Sequence, residues 1–435
     1  MPRWSNMIED LVSRVTEIGS TMLVNNQQGD ITLSQQCEAL LSNLGEATGL
    51  ARSKEILDAF KDLDQAQKLD FFQTLCRDFG VDNQALKQAL DAWQKEPNDE
   101  HTRNIHFASE PRSQELVRRL NLAPGGTAAL VSLREDLILH MKKKPELSAL
   151  DQDIRHLFSS WFNRGFLRLE RIDWSTSANI LEKIIAYEAV HEIQGWDDLR
   201  RRVAAQDRRL YAFFHPSLVD DPLIFVEVAL TSDMPDTIGT ILAEDRQDLN
   251  LQEATTAVFY SISNCQAGLR GISFGNFLIK QVVEELKREL PNLKRFVTMS
   301  PVPGLRRWAH AGSELAQQHQ GVINALDQET SLFQPEFMAA QQDALSKLAA
   351  CYLLDAKNKK DRPYDPVSNF HLGNGARLQQ INLWADRSER GQSNSWGVMV
   401  NYEYDLAYIE KNHEAFLCEG VISASSQVRK LYKNN

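Results

Sequence analysis

The sequence has no overall excess of positive charge. Its 48 lysine and arginine residues are outnumbered by 59 aspartate and glutamate residues, giving a formal net charge of −11. Nucleic acids and anionic membranes are bound by clustered lysine and arginine side chains, so this balance argues against either as the main partner. A local basic pocket for a phosphorylated small molecule is compatible with the composition.

Cysteine is scarce, and its spacing excludes two kinds of site. There are five cysteines, an odd number, and none forms a Cys-x-x-Cys pair: Cys37, Cys76, Cys265, Cys351 and Cys418. This usage is typical of reduced, intracellular proteins and predicts neither a disulfide framework nor a zinc site. No group of His, Cys and Asp residues has metal-ligand spacing, so no metal is expected.

Long apolar runs are also missing. No segment reaches 18 consecutive apolar residues, so no membrane-spanning helix is predicted. Glu9 and Asp10 stand where a signal peptide would have its apolar centre, and the final residues VRKLYKNN are not a peroxisomal address. A cytoplasmic protein is therefore the expectation.

The first 160 residues predict a bundle of helices. Apolar residues recur at intervals of three and four, as in Ile8, Leu11, Val15 and Ile18, while alternating apolar and polar positions are nearly absent. Polar turns such as NNQQGD and KEPND separate the segments. We interpret residues 1–160 as an oligomerisation domain or scaffold rather than a catalytic domain.

Residues 161–435 have a different texture and predict a mixed α/β domain. Short runs of β-branched and aromatic residues predict strands: RRLYAFFHP, PLIFVEVALT at 222–231, TAVFYSISN at 256–264 and KRFVTMS. The acidic stretch at 236–253 is compatible with a helix, and a helical insertion is expected near 305–370. Apolar residues four apart, from Phe274 to Leu290, predict an amphipathic helix, and the chain should close in a helical region.

A glycine-containing loop lies between a predicted strand and this amphipathic helix. We call residues 266–272 the glycine loop: Gln266, Ala267, Gly268, Leu269, Arg270, Gly271 and Ile272. A helix N-terminus offers unpaired N–H groups to a phosphate, and glycine lets the backbone come close. The pattern resembles the acyl-CoA pyrophosphate loop of the GNAT-type acetyltransferase fold. The alternative is an ordinary strand-to-helix turn.

A second motif overlaps this loop. Residues 271–275 match the Gly-x-Ser-x-Gly nucleophile elbow of α/β-hydrolases, with Ser273 as the nucleophile. In an elbow the strand runs directly into the motif, whereas here residues 264–270 intervene. Ser273 is then better explained as part of the first turn of a helix.

Two further polar residues stand out as candidates for catalysis. Ser300 ends the strand KRFVTMS and precedes Pro301-Val302-Pro303-Gly304, a stiff turn at the carboxyl edge of a sheet, where α/β domains often place chemistry. His371 lies in DPVSNFHLGNGARL, between a polar loop and a predicted strand. Structural alternatives remain for both: a strand-ending serine bonded to its own turn, and a packed, hydrogen-bonded histidine.

Several stretches together resemble the malonyl-CoA decarboxylase family. They are HLFSSWFNRGFLRLERIDW, AYEAVHEIQGWDDLRRR, PLIFVEVALT, YSISNCQAGLRGISFGNFLIKQVVEELKREL, TMSPVPG and FHLGNGARL followed by INLWADRSERG. The resemblance is most specific from about residue 155 to the end of the chain. It implies a helical oligomerisation domain followed by a GNAT-type catalytic domain.

The resemblance also implies an activity and a site. The family's catalytic serine falls on Ser300, its catalytic histidine on His371, and its malonyl-CoA-binding loop on residues 266–272. The expected substrate and product are malonyl-CoA and acetyl-CoA, without a cofactor, in a tetramer or dimer assembled through the helical half. Mitochondrial and peroxisomal members carry targeting signals that are not evident here.

The chemistry suggests a division of roles. Loss of CO2 from malonyl-CoA leaves an enolate, which Ser300 would orient and His371 would protonate, since the ordinary pKa of histidine is near neutrality. Tyr402 and Tyr404 are reserve candidates for contacts with the enolate oxygen, with core packing as the alternative. Competing functions are an acyl-CoA acetyltransferase, a serine thioesterase acting through Ser273, and a non-catalytic acyl-CoA-binding scaffold.

Overall fold

The computed structural model describes residues 3–26, 31–42, 44–272, 278–329 and 331–433. The chain divides into two compact units. The helical unit contains Met1–Arg168 with the short segments Phe214–Leu223 and Gln266–Phe274, and the sheet unit contains Leu169–Phe213, Ile224–Cys265 and Gly275–Asn435. The predicted domain boundary between residues 160 and 161 stays a prediction.

The helical unit is built from amphipathic helices joined by short turns. Its described helices are α1 Arg3–Asn26, α2 Leu33–Leu41, α3 Glu46–Asp62, α4 Gln65–Asp78, α5 Asn83–Lys95, α6 Asp99–Ala108, α7 Arg112–Leu120, α8 Gly126–Met141 and α9 Ser148–Trp161. Thr32 and Asp64 begin α2 and α4 with reciprocal side-chain caps that satisfy the first free N–H groups. Leu116, Leu130 and Phe158 are among the fully buried core residues.

The sheet unit mixes strands and helices in chain order. Its elements are β1 Arg168–Ile172, α10 Ala178–Tyr187, α11 Trp196–Val203, β2 Arg208–Phe214, β3 Pro222–Thr231, α12 Gly239–Leu242, β4 Thr256–Asn264, α13 Leu278–Glu289, β5 Arg295–Thr298, β6 Ser300–Pro301, α14 Leu305–Ala309, α15 Glu314–Gln317, α16 Gln320–Gln328, α17 Pro335–Asp355, α18 Pro366–Gly373, β7 Arg377–Asn382, α19 Glu389–Ser395, β8 Met399–Glu403, α20 Ile409–Glu419 and α21 Ser426–Lys433.

These strands form one mixed sheet in the order β1-β2-β3-β4-β5-β8-β6, with β7 also paired to β8. β3 and β4 are antiparallel, β4 and β5 are parallel, and β8 runs antiparallel to β5, β6 and β7. The predicted fold class, a helical region followed by a mixed sheet, is confirmed. The GNAT-type assignment of the sheet stays a prediction.

Two local predictions in the sheet unit were wrong. The acidic stretch 236–253 is mostly irregular, with only α12 and a single 3-10 turn at Leu251–Glu253, because its Asp and Asn side chains favour turns over helix interiors. The closing region is not purely helical, since β8 lies within it. In the part of the chain that the structure describes, no helix is long and apolar enough to cross a membrane.

Candidate active site

Ser300 is held in a fixed orientation at one end of the sheet. It lies in β6, paired with Val400 of β8, and its residue surface is 5% exposed. Its hydroxyl donates a hydrogen bond to Oγ1 of Thr298 at 2.8 Å. The same Oγ1 atom accepts the backbone N–H of Tyr402 at 3.0 Å, which ties the serine to β8 through Thr298.

The helix α18 carries His371 and is fixed by its first residues. Asp365 is the cap, and its carboxylate accepts the backbone N–H groups of Val367 at 3.0 Å and Ser368 at 2.9 Å. It also accepts the hydroxyl of Tyr352 at 3.0 Å. His371, in the last turn of this helix, is 3% exposed.

His371 was predicted to lie between a polar loop and a strand, and the loop part of that prediction was wrong. The residues DPVSNF begin a helix, because an Asp cap followed by Pro in the first turn is a favourable helix start. The helix brings the histidine to the edge of the sheet although 70 residues separate it from Ser300.

The structure brings Ser300 and His371 into hydrogen-bond contact. The distance from Nε2 of His371 to Oγ of Ser300 is 3.1 Å, and Nδ1 lies 2.7 Å from the hydroxyl of Tyr404. The ring of Tyr402 stacks on the imidazole with centroids 4.6 Å apart. Thr298, Ser300, His371 and Tyr404 thus form one buried polar chain, which we call the hydroxyl relay.

Ser300 and His371 both face a cavity of about 260 Å³ within the sheet unit. Its walls are mostly apolar, so a charge inside the cavity is costly unless a group of opposite charge lies beside it. The other lining residues are Val190, Phe259, Tyr260, Ile262, Asn264, Met299, Pro301, Pro366, Val367 and Phe370. Tyr402 and Tyr404 are not among these lining residues, and both contact the ring of His371.

Burial controls the charge of His371. It lowers the pKa of the imidazole from its ordinary value of 6.5 to about 3, because burial removes the charged form from bulk water. In the free protein the ring is therefore neutral at physiological pH. The ordinary near-neutral pKa that made His371 attractive as a proton donor does not apply until something charged enters the cavity.

The cap of α18 provides a testable link between folding and the site. Asp365→Ala should lower the free energy of unfolding by about 2 kcal/mol, because two N–H groups and the Tyr352 hydroxyl lose their buried acceptor. Urea denaturation measures this loss. Asp365→Asn keeps an acceptor oxygen and should lose less; equal stability of all three proteins would show that the cap is unimportant.

The glycine loop, described within the helical unit, is shaped by two glycines with different tasks. A Cβ atom at Gly268 would lie 1.9 Å from the carbonyl oxygen of Val131, so the close approach of the loop to α8 requires glycine. Gly271 has φ of 78°, a left-handed conformation that glycine adopts without strain. Leu269 and Ile272 are buried, while Arg270 is exposed.

The loop is anchored by the side chains of Arg134 and Gln266. Arg134 of α8 donates to the carbonyl oxygens of Gly268 at 2.5 Å and Arg270 at 3.0 Å. Gln266, predicted to bind substrate, donates its amide to Oδ1 of Asp221 at 2.9 Å. Arg134 had no sequence signal, because a lone arginine in a helix usually lies on the surface.

The packing of Gly268 gives a second testable prediction. Gly268→Ala should lower the free energy of unfolding by about 1–3 kcal/mol, because the new methyl group overlaps the backbone of Val131 and forces the loop away from α8. Thermal denaturation measures the change. Gly239→Ala, where an added Cβ has contacts no closer than 3.5 Å, is the control and should change stability far less.

Two predicted features fall in residues that the structure does not describe. Ser273 and Phe274, and with them the elbow motif and the start of the amphipathic helix, lie outside the described residues. From Leu278 onward that helix is present as α13. Across the described ranges, no three His, Cys, Asp or Glu side chains are grouped so that they could hold a metal ion.

Comparison with known proteins identifies what the chain is similar to. Residues 165–435 match the family model described as the malonyl-CoA decarboxylase C-terminal domain, and residues 79–162 match the corresponding N-terminal domain. The mitochondrial malonyl-CoA decarboxylase of Anser anser anser is 34% identical over 417 residues, which cover 87% of this chain and 82% of that protein.

Two solved structures are similar over nearly their whole length. The crystal structure of malonyl-CoA decarboxylase from Rhodopseudomonas palustris is 52% identical with a TM-score of 0.88, covering 92% of this chain and 98% of that one. The structure from Agrobacterium vitis is 51% identical with a TM-score of 0.86, covering 92% and 99%.

Proposed function

The chain belongs to the malonyl-CoA decarboxylase family, and we propose that it converts malonyl-CoA to acetyl-CoA and carbon dioxide as a carboxy-lyase. The observation that carries this proposal is the buried contact between Ser300 and His371 at the wall of an apolar cavity. A serine and an imidazole at this position can hold and protonate a small anion.

The thioester of the substrate is the electron sink of the reaction. When CO2 leaves, the electron pair of the broken C–C bond delocalises into the thioester carbonyl as an enolate. Polar donors near that oxygen stabilise the charge, and losing one typically costs about 2.7–4 kcal/mol. The apolar walls of the cavity strengthen such contacts because water does not compete for them.

Ser300 and His371 divide the remaining work. Ser300, whose hydroxyl donates to Thr298 in the free protein, turns this donor to the malonyl carboxylate and then to the enolate. His371, which contacts Ser300 through Nε2, delivers the proton that converts the enolate to the methyl group of acetyl-CoA. A positioned proton donor of this kind typically contributes about 10²–10⁴-fold to the rate.

We propose that the glycine loop binds the phosphates of CoA. Supporting this are its short helical turn at Ala267–Leu269, the exposed side chain of Arg270 and the rigid support from Arg134. Arg270→Ala should weaken binding of CoA itself. Arg164→Ala, an arginine on the same unit outside the loop, is the control and should bind CoA like the unaltered protein.

Incubation with malonyl-CoA, with and without an amine acceptor, tests the function directly. Acetyl-CoA and CO2 formed in equal amounts without an acceptor would support decarboxylation. Product that appears only with the amine would indicate an acetyltransferase, and free CoA thiol would indicate a thioesterase. Binding without any product would leave only the scaffold, and each of these last three results contradicts the proposal.

Assembly and location are further proposals. We propose a tetramer or dimer that forms through the helical unit in the cytoplasm. The large side chains of Leu11, Ile18 and Leu122 are exposed on this unit and would be covered if they lie in the contact between copies. Light scattering should give a mass above 49.5 kDa; a monomer at working concentration would contradict assembly.

A further inference from the structure

Among the described residues, the side chains that contact the imidazole of His371 are uncharged. Its two ring nitrogens contact the hydroxyls of Ser300 and Tyr404, and its ring stacks on Tyr402. Histidines that transfer protons commonly have a carboxylate on one nitrogen, which stabilises the imidazolium. Among the described residues, a tyrosine hydroxyl takes that place here.

The charged and titratable groups around the ring are committed elsewhere. On α18 itself, Asp365 caps the helix and accepts the hydroxyl of Tyr352 of α17. On β8, Glu403 lies between Tyr402 and Tyr404 in the sequence. Its carboxylate pairs with Arg377 of β7. From α20, His413 bonds the carbonyl oxygen of Gly373 through Nδ1 at 2.7 Å. Burial alone accounts for the suppressed charge of His371.

The directions of the hydrogen bonds define the tautomer. Ser300 donates its hydroxyl proton to Thr298, so at the contact between Ser300 and His371 the imidazole is the donor through Nε2–H. In the neutral ring Nδ1 is then an acceptor, and Tyr404 donates to it. The hydrogen bonds of the hydroxyl relay thus all run in one direction, from Tyr404 through His371 and Ser300 to Thr298.

A phenol can also reverse this role. When His371 gains a second proton, Nδ1 becomes a donor, and the oxygen of Tyr404 can accept from it without any movement of the ring. A carboxylate could only accept, and a backbone N–H could only donate. The same contact therefore fits the neutral and the protonated imidazole, but it stabilises neither with a full charge.

We propose that Tyr404 is a positioning residue that holds the imidazole of His371 in both its neutral and its protonated form, and that the carboxylate of malonyl-CoA supplies the missing negative charge and draws one proton from solvent onto the ring. This proposal rests on the proposed function and concerns the source of its proton. The negative charge that stabilises the imidazolium is thus part of the substrate. The product acetyl-CoA has no carboxylate, so it does not stabilise a protonated His371.

The step balances in atoms and charge. The malonyl carboxylate, bearing one negative charge, faces an imidazolium bearing one positive charge. Cleavage of the bond between the carboxyl carbon and the alpha carbon releases CO2 and leaves the electron pair on the thioester enolate. A proton then passes from the imidazolium to the alpha carbon, which gives acetyl-CoA and a neutral imidazole. One proton from solvent is consumed in each turnover.

Calorimetry with an unreactive analogue tests the proton uptake. In S-(2-carboxyethyl)-CoA a methylene replaces the thioester carbonyl, so it keeps the carboxylate but cannot lose CO2. S-propyl-CoA has the same length without the charge. Binding enthalpies measured in phosphate and in Tris at neutral pH give the number of protons taken up. The carboxylate analogue should take up close to one proton more than the propyl analogue.

His371→Gln separates the imidazole from other proton acceptors. In this variant the difference between the two analogues should vanish. If the difference persists, the proton lies on the ligand carboxylate rather than on His371, and the inference is wrong. If the unaltered protein shows no difference but still decarboxylates malonyl-CoA, the inference again fails while the proposed function stands.

Tyr404→Phe tests the positioning role, with Tyr402→Phe as its control. Loss of the Tyr404 hydroxyl leaves a buried Nδ1–H without an acceptor in the protonated state, so kcat should fall about tenfold with little change in KM. The alkaline limb of the pH profile should move about one unit lower for the same reason. Tyr402→Phe keeps the stacked ring and should retain the limb; equal shifts in both variants would overturn the assignment.

Discussion

Replacing His371 with glutamine is expected to lower the turnover of malonyl-CoA by about 10²–10⁴-fold while the affinity for CoA stays nearly unchanged. Glutamine is polar and of similar length, but its amide does not carry a proton to carbon. The imidazole lies 3.1 Å from Ser300 and faces the cavity, and the glycine loop proposed to bind CoA is anchored by other residues. Steady-state rates and CoA titration measure the two quantities separately.

The control for this variant is His310→Gln. His310 belongs to the same unit, is half exposed and pairs with Asp327, and it does not line the cavity. Its replacement should leave turnover within about twofold, as is usual for surface substitutions. Thermal denaturation of both variants excludes a general loss of fold. Turnover by His371→Gln at the rate of the control would remove the imidazole from the mechanism.

The strands that the sequence predicted well share one property, which is burial on both faces. In β2, β3 and β4 almost every residue is buried, and their sequences are rich in the β-branched and aromatic residues that favour strands. The strand KRFVTMS was predicted as one element but divides at Met299 into β5 and β6. Such a division depends on pairing with β8, which is distant in the chain.

Helix periodicity was a better guide to conformation than to burial. The spacing of Leu11, Val15 and Ile18 correctly predicts α1, yet Leu11 is 62% exposed and Ile18 is 55% exposed. The buried positions described on that helix include Thr16 and Gly19 instead. Sequence spacing reveals that an apolar face exists, but not which molecule covers it.

The candidate site was predictable in its members but not in its connections. Ser300 and His371 were identified through motifs that resemble a known family, and the structure places them in contact. Nothing in the sequence pairs either residue with Thr298, or turns Tyr404 toward an imidazole rather than the enolate oxygen. These contacts depend on the register of β8 against β6 and β7, which only long-range strand pairing fixes.

Arg134 shows the same limit in the helical unit, where it is the residue that holds the glycine loop. Its side chain is 2% exposed and pairs with Asp151, itself buried, at 2.8 Å. The remaining guanidinium nitrogens donate to carbonyl oxygens of the loop. Burial lowers the pKa of Arg134 although Asp151 opposes the shift, so the pair is retained against a desolvation cost. Positioning of the loop is a physical reason for keeping it.

Arg134→Met should therefore lower the free energy of unfolding by about 3–5 kcal/mol, because it leaves the buried carboxylate of Asp151 without a partner. Urea denaturation measures this loss, and CoA binding should weaken with it as the carbonyl groups of Gly268 and Arg270 lose their donor. Arg155→Met is the matched control: this exposed arginine also contacts the loop, at the carbonyl oxygen of Gly271, and its replacement should cost less than about 1 kcal/mol.

Adding Asp151→Leu to Arg134→Met removes the unpaired charge and should restore part of the stability without restoring CoA binding. Recovery of both properties in the double variant would mean that Arg134 serves the fold alone.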